Sequence, residues 1–82
     1  MERDYQIEDA VERLLLAENR YWGPCERSGL WLRTNLAAQG ISTSDEAFFL
    51  ALFNLTHAGR IGVLRINETP HYSVRTTPLP FT

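Results

Sequence analysis

The chain changes its hydrophobic period at Gly59, and this change constrains the fold more than any other feature. Residues 43–58 carry apolar side chains at helical spacing, whereas residues 61–66 and 71–76 alternate between apolar and polar side chains. A period of about 3.6 residues is typical of a helix with one buried face, and a period of two is typical of a half-buried strand. The sequence therefore predicts a helix that ends at Gly59 and a following β-hairpin with the four-residue loop 67–70.

The expected loop length sets the pairing of the two hairpin strands. It predicts that Ile66 faces His71 and that Val63 faces Val74. Because the side chains of a strand alternate between its faces, four residues are expected on the inward side of the hairpin. These are Ile61, Val63, Tyr72 and Val74.

Two further helices are expected earlier in the chain. The first should run over about 5–20 with Asp4 as its N-cap, because apolar residues recur there at i, i+3, i+4, i+7 and i+8. The second should run over about 30–39, with Ser28 as its N-cap and Gly40 as the left-handed residue that ends it. Few residues remain before the third helix, so these two helices should cross sharply, as in a helix-turn-helix.

The start of the third helix has its own signal. Thr43-Ser44-Asp45-Glu46 matches a capping box, in which the hydroxyl of Thr43 accepts from a free amide and the Glu46 carboxylate reaches back to another. The third helix is therefore expected over about 44–58.

Charge is distributed unevenly along the chain. Residues 1–26 carry seven acids against three arginines, a balance of −4, and the remainder carries three acids against five arginines, a balance of +2. Glu8 and Glu12 form a like-charge pair that calls for a basic partner, and Arg27 or Arg33 is expected to supply it. The outer face of the first helix is expected to carry Glu8, Asp9, Glu12 and Arg13.

Length and composition indicate one small domain. The chain has 82 residues, of which 44% are hydrophobic and 22% charged, so a domain over 1–76 and an extended proline-containing tail over 77–82 are expected. Cys25 is the lone cysteine and only His57 and His71 accompany it, so neither a disulfide nor a metal site is expected. Without an apolar run of about 20 residues or a signal-like N-terminus, we expect a cytoplasmic protein with no membrane partner.

The stretch Ala51-Leu52-Phe53-Asn54-Leu55-Thr56-His57-Ala58-Gly59-Arg60-Ile61 looks like a recognition helix that turns into a wing. Tyr72-Ser73-Val74 looks like the returning wing strand. On these residues the chain resembles the winged-helix superfamily over nearly its whole length. The resemblance implies a mainly α fold with a small β-hairpin (α+β), in which three helices carry a two-stranded wing. In that superfamily the third helix commonly enters the DNA major groove and the wing contacts the backbone or minor groove.

The outer face of the third helix does not suit base reading. At about 100° per residue, Glu46, Phe49, Phe53 and His57 fall on one side, with Leu50 beside them. Base edges and phosphates favour Arg, Lys, Asn or Gln instead. We therefore expect a protein-binding or self-association surface there, working as a homodimer or with a regulatory protein. Coverage of the rings by the wing or the N-terminal segment is one open alternative. Insertion of the rings into DNA as a wedge is another, and the acidic start of the helix argues against it.

Other aromatic and basic residues have two interpretations each. Tyr21, Trp22 and Trp31 are expected to anchor helix packing, although an exposed Trp22 would make an interface anchor. The arginines of the hairpin are either solvated strand residues or phosphate contacts of a small DNA-binding regulator. That alternative would use Arg60, Arg65, Arg75, His71 and Arg33.

The sequence contains no pattern that indicates catalysis. Cys25 has no recognisable base beside it, no serine lies in a nucleophile motif, and no phosphate-binding loop is present. We therefore expect a non-enzymatic protein without a cofactor.

Overall fold

The computed structural model describes residues 4–74, which form three helices and a small antiparallel sheet. The α+β fold class expected from the sequence is confirmed. Arg75 and the tail 77–82 lie outside the described residues. The elements follow in the order α1 (Tyr5–Trp22), β1 (Arg27–Ser28), α2 (Gly29–Ala38), α3 (Asp45–His57), β2 (Ile61–Ile66) and β3 (Thr69–Val74).

Local capping explains where the first two helices begin. A side-chain oxygen of Asp4 accepts hydrogen bonds from the backbone amides of Gln6 and Ile7, at 3.0 and 3.2 Å. The hydroxyl of Ser28 accepts from the amide of Trp31 at 3.1 Å. Each side chain thus satisfies an amide that has no partner inside the helix, as both predicted N-caps require.

The predicted capping box of α3 is wrong by one residue. Ser44 is the N-cap, because its hydroxyl accepts from the amide of Ala47 at 3.2 Å. The hydroxyl of Thr43 instead donates to the carbonyl oxygen of Ser44. The helix starts at Asp45, so Glu46 lies too close to the N-cap to close a capping box.

Helix α3 ends in a left-handed turn at Gly59, whose φ is +76°. The amide of Arg60 donates to the carbonyl oxygen of Leu55 at 3.0 Å, and that of Gly59 donates to the carbonyl oxygen of Thr56 at 3.1 Å. This pair of bonds is a Schellman motif, which satisfies the last carbonyl groups and turns the chain out of the helix. Strand β2 therefore begins two residues after the turn, as the period change predicted.

One hydrophobic core joins all three helices to the sheet. Helices α1 and α3 contribute four buried apolar residues each, and α2 and the sheet contribute two each. The buried apolar residues are Ile7, Ala10, Val11, Leu15, Leu32, Leu36, Phe48, Ala51, Leu52, Leu55, Ile61 and Tyr72.

The sheet differs from the expected hairpin in two respects. It has three strands in the order β1-β3-β2, because the unpredicted strand β1 pairs antiparallel with β3. The hairpin loop has two residues instead of four, since Asn67 and Glu68 both take positive φ angles of 51° and 66°. Positive φ at both positions is characteristic of a type I′ turn, whose twist matches that of the flanking strands.

The shorter turn shifts the strand register. Val63 faces Tyr72 and Ile66 faces Thr69, so the predicted pairings of Val63 with Val74 and of Ile66 with His71 are both wrong. Val74 faces Ile61 instead. The shift amounts to two residues, and an even shift leaves every side chain on its predicted face. Ile61 and Tyr72 are accordingly buried, but Val63 remains half exposed.

The turn itself provides a test of this hairpin. A left-handed conformation costs a non-glycine residue about 1–2 kcal/mol. Glycine avoids this cost, but its greater conformational entropy in the unfolded state offsets part of the gain. We expect Glu68→Gly to raise the free energy of unfolding by about 0.5–1 kcal/mol, measured by urea denaturation. Glu68→Ala removes the same carboxylate but keeps the Cβ atom, so this control should bring no such gain. Equal effects of the two variants would contradict the type I′ assignment.

Candidate protein-interaction surface

Helix α3 separates its residues into a buried face and an exposed one. Phe48 and Leu55 lie in the core, whereas Phe49 and Phe53 are 60% and 64% exposed. Neither ring is enclosed by the hairpin or by any other described part of the protomer. We call the exposed side the α3 outer face and define it by Glu46, Phe49, Leu50, Phe53 and His57.

Neighbouring rings support both phenylalanines on this face. Phe49 meets the ring of Phe48 edge to face, with centroids 5.7 Å apart and planes at 61°. Phe53 stacks on the imidazole of His57, with centroids 5.8 Å apart and planes at 8°. Side chains that are already supported lose less conformational entropy when a partner covers them. Covering Phe49 and Phe53 would therefore cost less conformational entropy than covering two unsupported rings.

Two apolar grooves extend this face toward the hairpin. The larger, of about 430 Å³, lies between α3, the start of α2 and the hairpin, and the smaller, of about 260 Å³, lies between α3 and the hairpin. Phe49 and Tyr72 line both grooves, so the two lie side by side. The larger is also lined by Leu30 and Pro70, and the smaller by Phe53 and Val63.

Leu30 and Pro70 were not anticipated as part of this surface. A helical projection would have found Leu30, because it lies about 200° from the buried Leu32 at about 100° per residue. Pro70 was assigned to the hairpin loop, and only the two-residue turn places it in β3 beside the groove.

Trp22 is exposed but lines neither groove. Its ring packs against Tyr21 with centroids 4.6 Å apart at the end of α1, and both side chains are largely exposed. The prediction that these two anchor the packing of helices is therefore wrong, because they lie in the last turn of α1, beyond its last buried residue, Leu15. Trp31 is half-buried, and the Arg27 guanidinium lies 5.4 Å from its ring centroid.

Arg60, expected on the wing surface, instead packs against α1. Its Nε donates to an oxygen of Glu12 at 3.1 Å and its Nη2 donates to the second oxygen of Glu12 and to Asp9. A guanidinium that binds both oxygens of one carboxylate makes a strong, directional contact. The hydrogen bond to Glu12 is the main cause that raises the pKa of Arg60 above its ordinary value.

Glu8 is fully buried, which corrects its expected place on the outer face of α1. Its exposed fraction is 0%, one oxygen accepts from Asn54 at 3.3 Å, and the other lies 3.9 Å from Arg60. The basic partner of Glu8 and Glu12 is thus Arg60, where Arg27 or Arg33 had been expected. The reason is the fold: the turn after α3 delivers Arg60 to the acidic side of α1.

The other candidate cations have varied surroundings. Arg27 bonds Glu18 at 2.9 Å, and Arg33 bonds the carboxylate of Asp45 and the carbonyl oxygen of Thr43. Arg65 is exposed on β2, without a hydrogen bond or ion pair to residues 4–74. His71 is half-buried, with Nδ1 2.9 Å from the carbonyl oxygen of Thr69. Arg75 is outside the described residues.

Comparison with family models, with curated proteins and with solved structures finds no match to this chain. The winged-helix resemblance therefore stays a prediction. Among residues 4–74, no group of three or more potential ligands converges on a metal position. No helix in this range has the length and apolar character needed to cross a bilayer.

The contact between Arg60 and α1 predicts a stability effect. Arg60→Met removes the cation beside the buried Glu8, and loss of one partner from a buried ion pair is strongly destabilising. Water reaches part of the guanidinium, so the effect should be smaller than for a fully buried ion pair. We expect the free energy of unfolding to fall by about 2 kcal/mol. Arg65→Met is the matched control and should change it by less than about 0.5 kcal/mol. Equal denaturation midpoints for the two variants would contradict the role given to Arg60.

Proposed function

We propose that this chain is a non-enzymatic, winged-helix-like interaction module that binds a protein through the α3 outer face. The partner is a second copy or a regulatory protein, and the cytoplasmic location expected from the sequence belongs to this proposal. The observation that carries it is the exposure of Phe49 and Phe53 on one side of a helix whose other side fills the core.

The energy available from this surface supports the proposal. A phenylalanine has roughly 200 Å² of surface to bury, so each of the two rings leaves roughly 120 Å² in water. At about 25 cal/mol per Å², covering one ring is worth about 3 kcal/mol before the costs of association. The adjoining grooves add apolar contact area around the rings. Aromatic side chains in such settings are common anchors of protein interfaces.

The test replaces both rings with acids. We expect Phe49→Glu with Phe53→Glu to abolish self-association and the capture of partner proteins, because a carboxylate is not desolvated without cost. Elution volume on a sizing column and pull-down with the immobilised chain measure the two effects. Leu64→Glu is the matched control, since Leu64 is 54% exposed but lies on the opposite face of the hairpin. If the double variant elutes and captures proteins as the wild type does, the proposal fails.

DNA binding through α3 and the hairpin is the alternative function, and it has weaker support. Arg33 and Arg60 already contact carboxylates, which lowers the positive potential they offer to phosphates. Arg65 is exposed and remains the best-placed candidate on the hairpin. The net charge of −2 adds no general attraction for nucleic acid.

A duplex titration decides this alternative. Fluorescence anisotropy of a labelled mixed-sequence duplex measures binding at physiological salt and at a low salt concentration. We expect no measurable binding at either. Arg65→Glu is the control, and it should behave as the wild type. Binding that weakens steeply with salt and is lost in Arg65→Glu would favour the DNA-binding function instead.

A further inference from the structure

The α3 outer face is self-complementary along the helix. Glu46 stands at one end, His57 at the other, and Phe49 and Phe53 lie between them. The midpoint of the two rings and the midpoint of the two polar ends agree within half a residue, which is less than about 1 Å of helix rise. Reversal of the helix direction therefore returns the same pattern, with acid and imidazole exchanged.

Both polar ends of this pattern are available to a partner. The side chains of Glu46 and His57 are exposed, and neither side chain forms a hydrogen bond or an ion pair with residues 4–74. The contrast is with Asp45, one residue before Glu46, whose carboxylate bonds Arg33. The two polar side chains that flank the rings thus have no polar partner within the described protomer.

We infer that the partner is a second copy of this chain, docked with its α3 antiparallel to the first. The two-fold axis would cross the α3 outer face at the level of residue 51, midway between Phe49 and Phe53. This inference rests on the proposed function, because it takes the α3 outer face to be a protein interface. In this arrangement Phe49 lies against the partner's Phe53, and Glu46 lies beside the partner's His57. The two-fold axis repeats each contact, as in any isologous dimer.

Charge selects the antiparallel arrangement over the parallel one. Parallel helices would bring two Glu46 carboxylates together at one end and would align the two helix dipoles side by side. Antiparallel helices place the acid next to an N–H of the partner's imidazole and oppose the dipoles. Opposite charges on facing surfaces favour the correct partner and orientation.

The available area indicates a dimer of moderate affinity. A standard interface buries about 800 Å² on each partner, and the two rings supply roughly a third of that area. The groove walls beside Phe49 add to it. We expect a dissociation constant in the micromolar range, on the order of 10 μM.

Sedimentation equilibrium of the full chain, over about 5 to about 300 μM, measures this association. Phe53→Glu should weaken it by more than about 100-fold, because two carboxylates enter an apolar contact. Glu46→Arg and His57→Glu should each weaken it by about tenfold, since each sets like charges or two donors against each other twice. The double variant Glu46→Arg with His57→Glu should recover wild-type affinity. Leu64→Glu should leave it unchanged.

Mixing the two single variants tests whether positions 46 and 57 both lie in the dimer contact. In a mixed dimer, the guanidinium introduced at position 46 of one chain would face the carboxylate introduced at position 57 of the other. At the opposite end the unchanged His57 would face the unchanged Glu46, so both contacts become favourable. Equimolar Glu46→Arg and His57→Glu chains should therefore form heterodimers well above the statistical half, measured by native mass spectrometry. A parallel dimer would give the same excess, so the orientation is decided by Glu46→Arg alone. This variant weakens an antiparallel dimer about tenfold, whereas in a parallel dimer it only replaces one pair of like charges with another.

The outcomes separate this inference from the proposed function. A wild type that stays monomeric over the whole range, a dimer unaffected by Phe53→Glu, or mixed chains without heterodimer excess would each overturn the antiparallel homodimer. The proposed function would still stand if Phe49→Glu with Phe53→Glu abolished capture of a different protein. It would fail together with the dimer only if that double variant changed neither readout.

Discussion

The guanidinium of Arg60 ties the end of α3 and the beginning of the hairpin to α1, and so connects the first helix of the chain to its last two described strands. Arg60 follows the left-handed Gly59 directly, at a position where a Schellman motif often places an apolar residue. Here a cation takes that position and meets Glu8 and Glu12 on α1. The contact holds the C-terminal end of α3 against α1, and the burial of Phe48, Leu52 and Leu55 fixes which side of the helix faces the core.

The same contact explains the uneven distribution of charge along the sequence. The acidic first third of the chain does not need an external basic partner, because arginines from later in the chain reach it. Arg60 contacts Asp9 and Glu12, and Arg27 contacts Glu18. The charge asymmetry of this sequence therefore reflects, in part, ion pairs within the described protomer. The acids in these pairs are not available to a partner.

Local signals account for the parts of the fold that the sequence predicted. Asp4, Ser28 and Gly59 act on neighbouring backbone groups, so helix ends were predictable from short stretches. Longer-range features were not. Strand β1 has only two residues and exists because β3 returns beside it, and the turn at Asn67 and Glu68 lacks the glycine that usually marks its type.

The sequence analysis also failed to predict which charged side chains are buried, although the helical projection indicates it for one of them. Glu8 lies about 20° from Leu15 on the helical projection, at the border of the apolar stripe, so its burial was readable in principle. Its partner was not, because Arg60 is 52 residues away in sequence. The candidate surface was predictable where it depended on one helix, as for Phe49 and Phe53. The groove walls were not, because they require the hairpin register.

Pro70 has a consequence for the way this molecule resists aggregation. It faces Arg65 in a pair of the hairpin that shares no hydrogen bonds. The backbone amide of any other residue at this position would therefore point away from β2, to the side of β3 on which β1 lies. Strand β1 ends at Ser28, opposite His71, so it does not extend as far as position 70. Proline supplies no donor at that site, and an incoming strand from another molecule finds the ladder interrupted. Fibril-like growth is discouraged along this border of the sheet, which leaves side-chain contacts as the safer route to association.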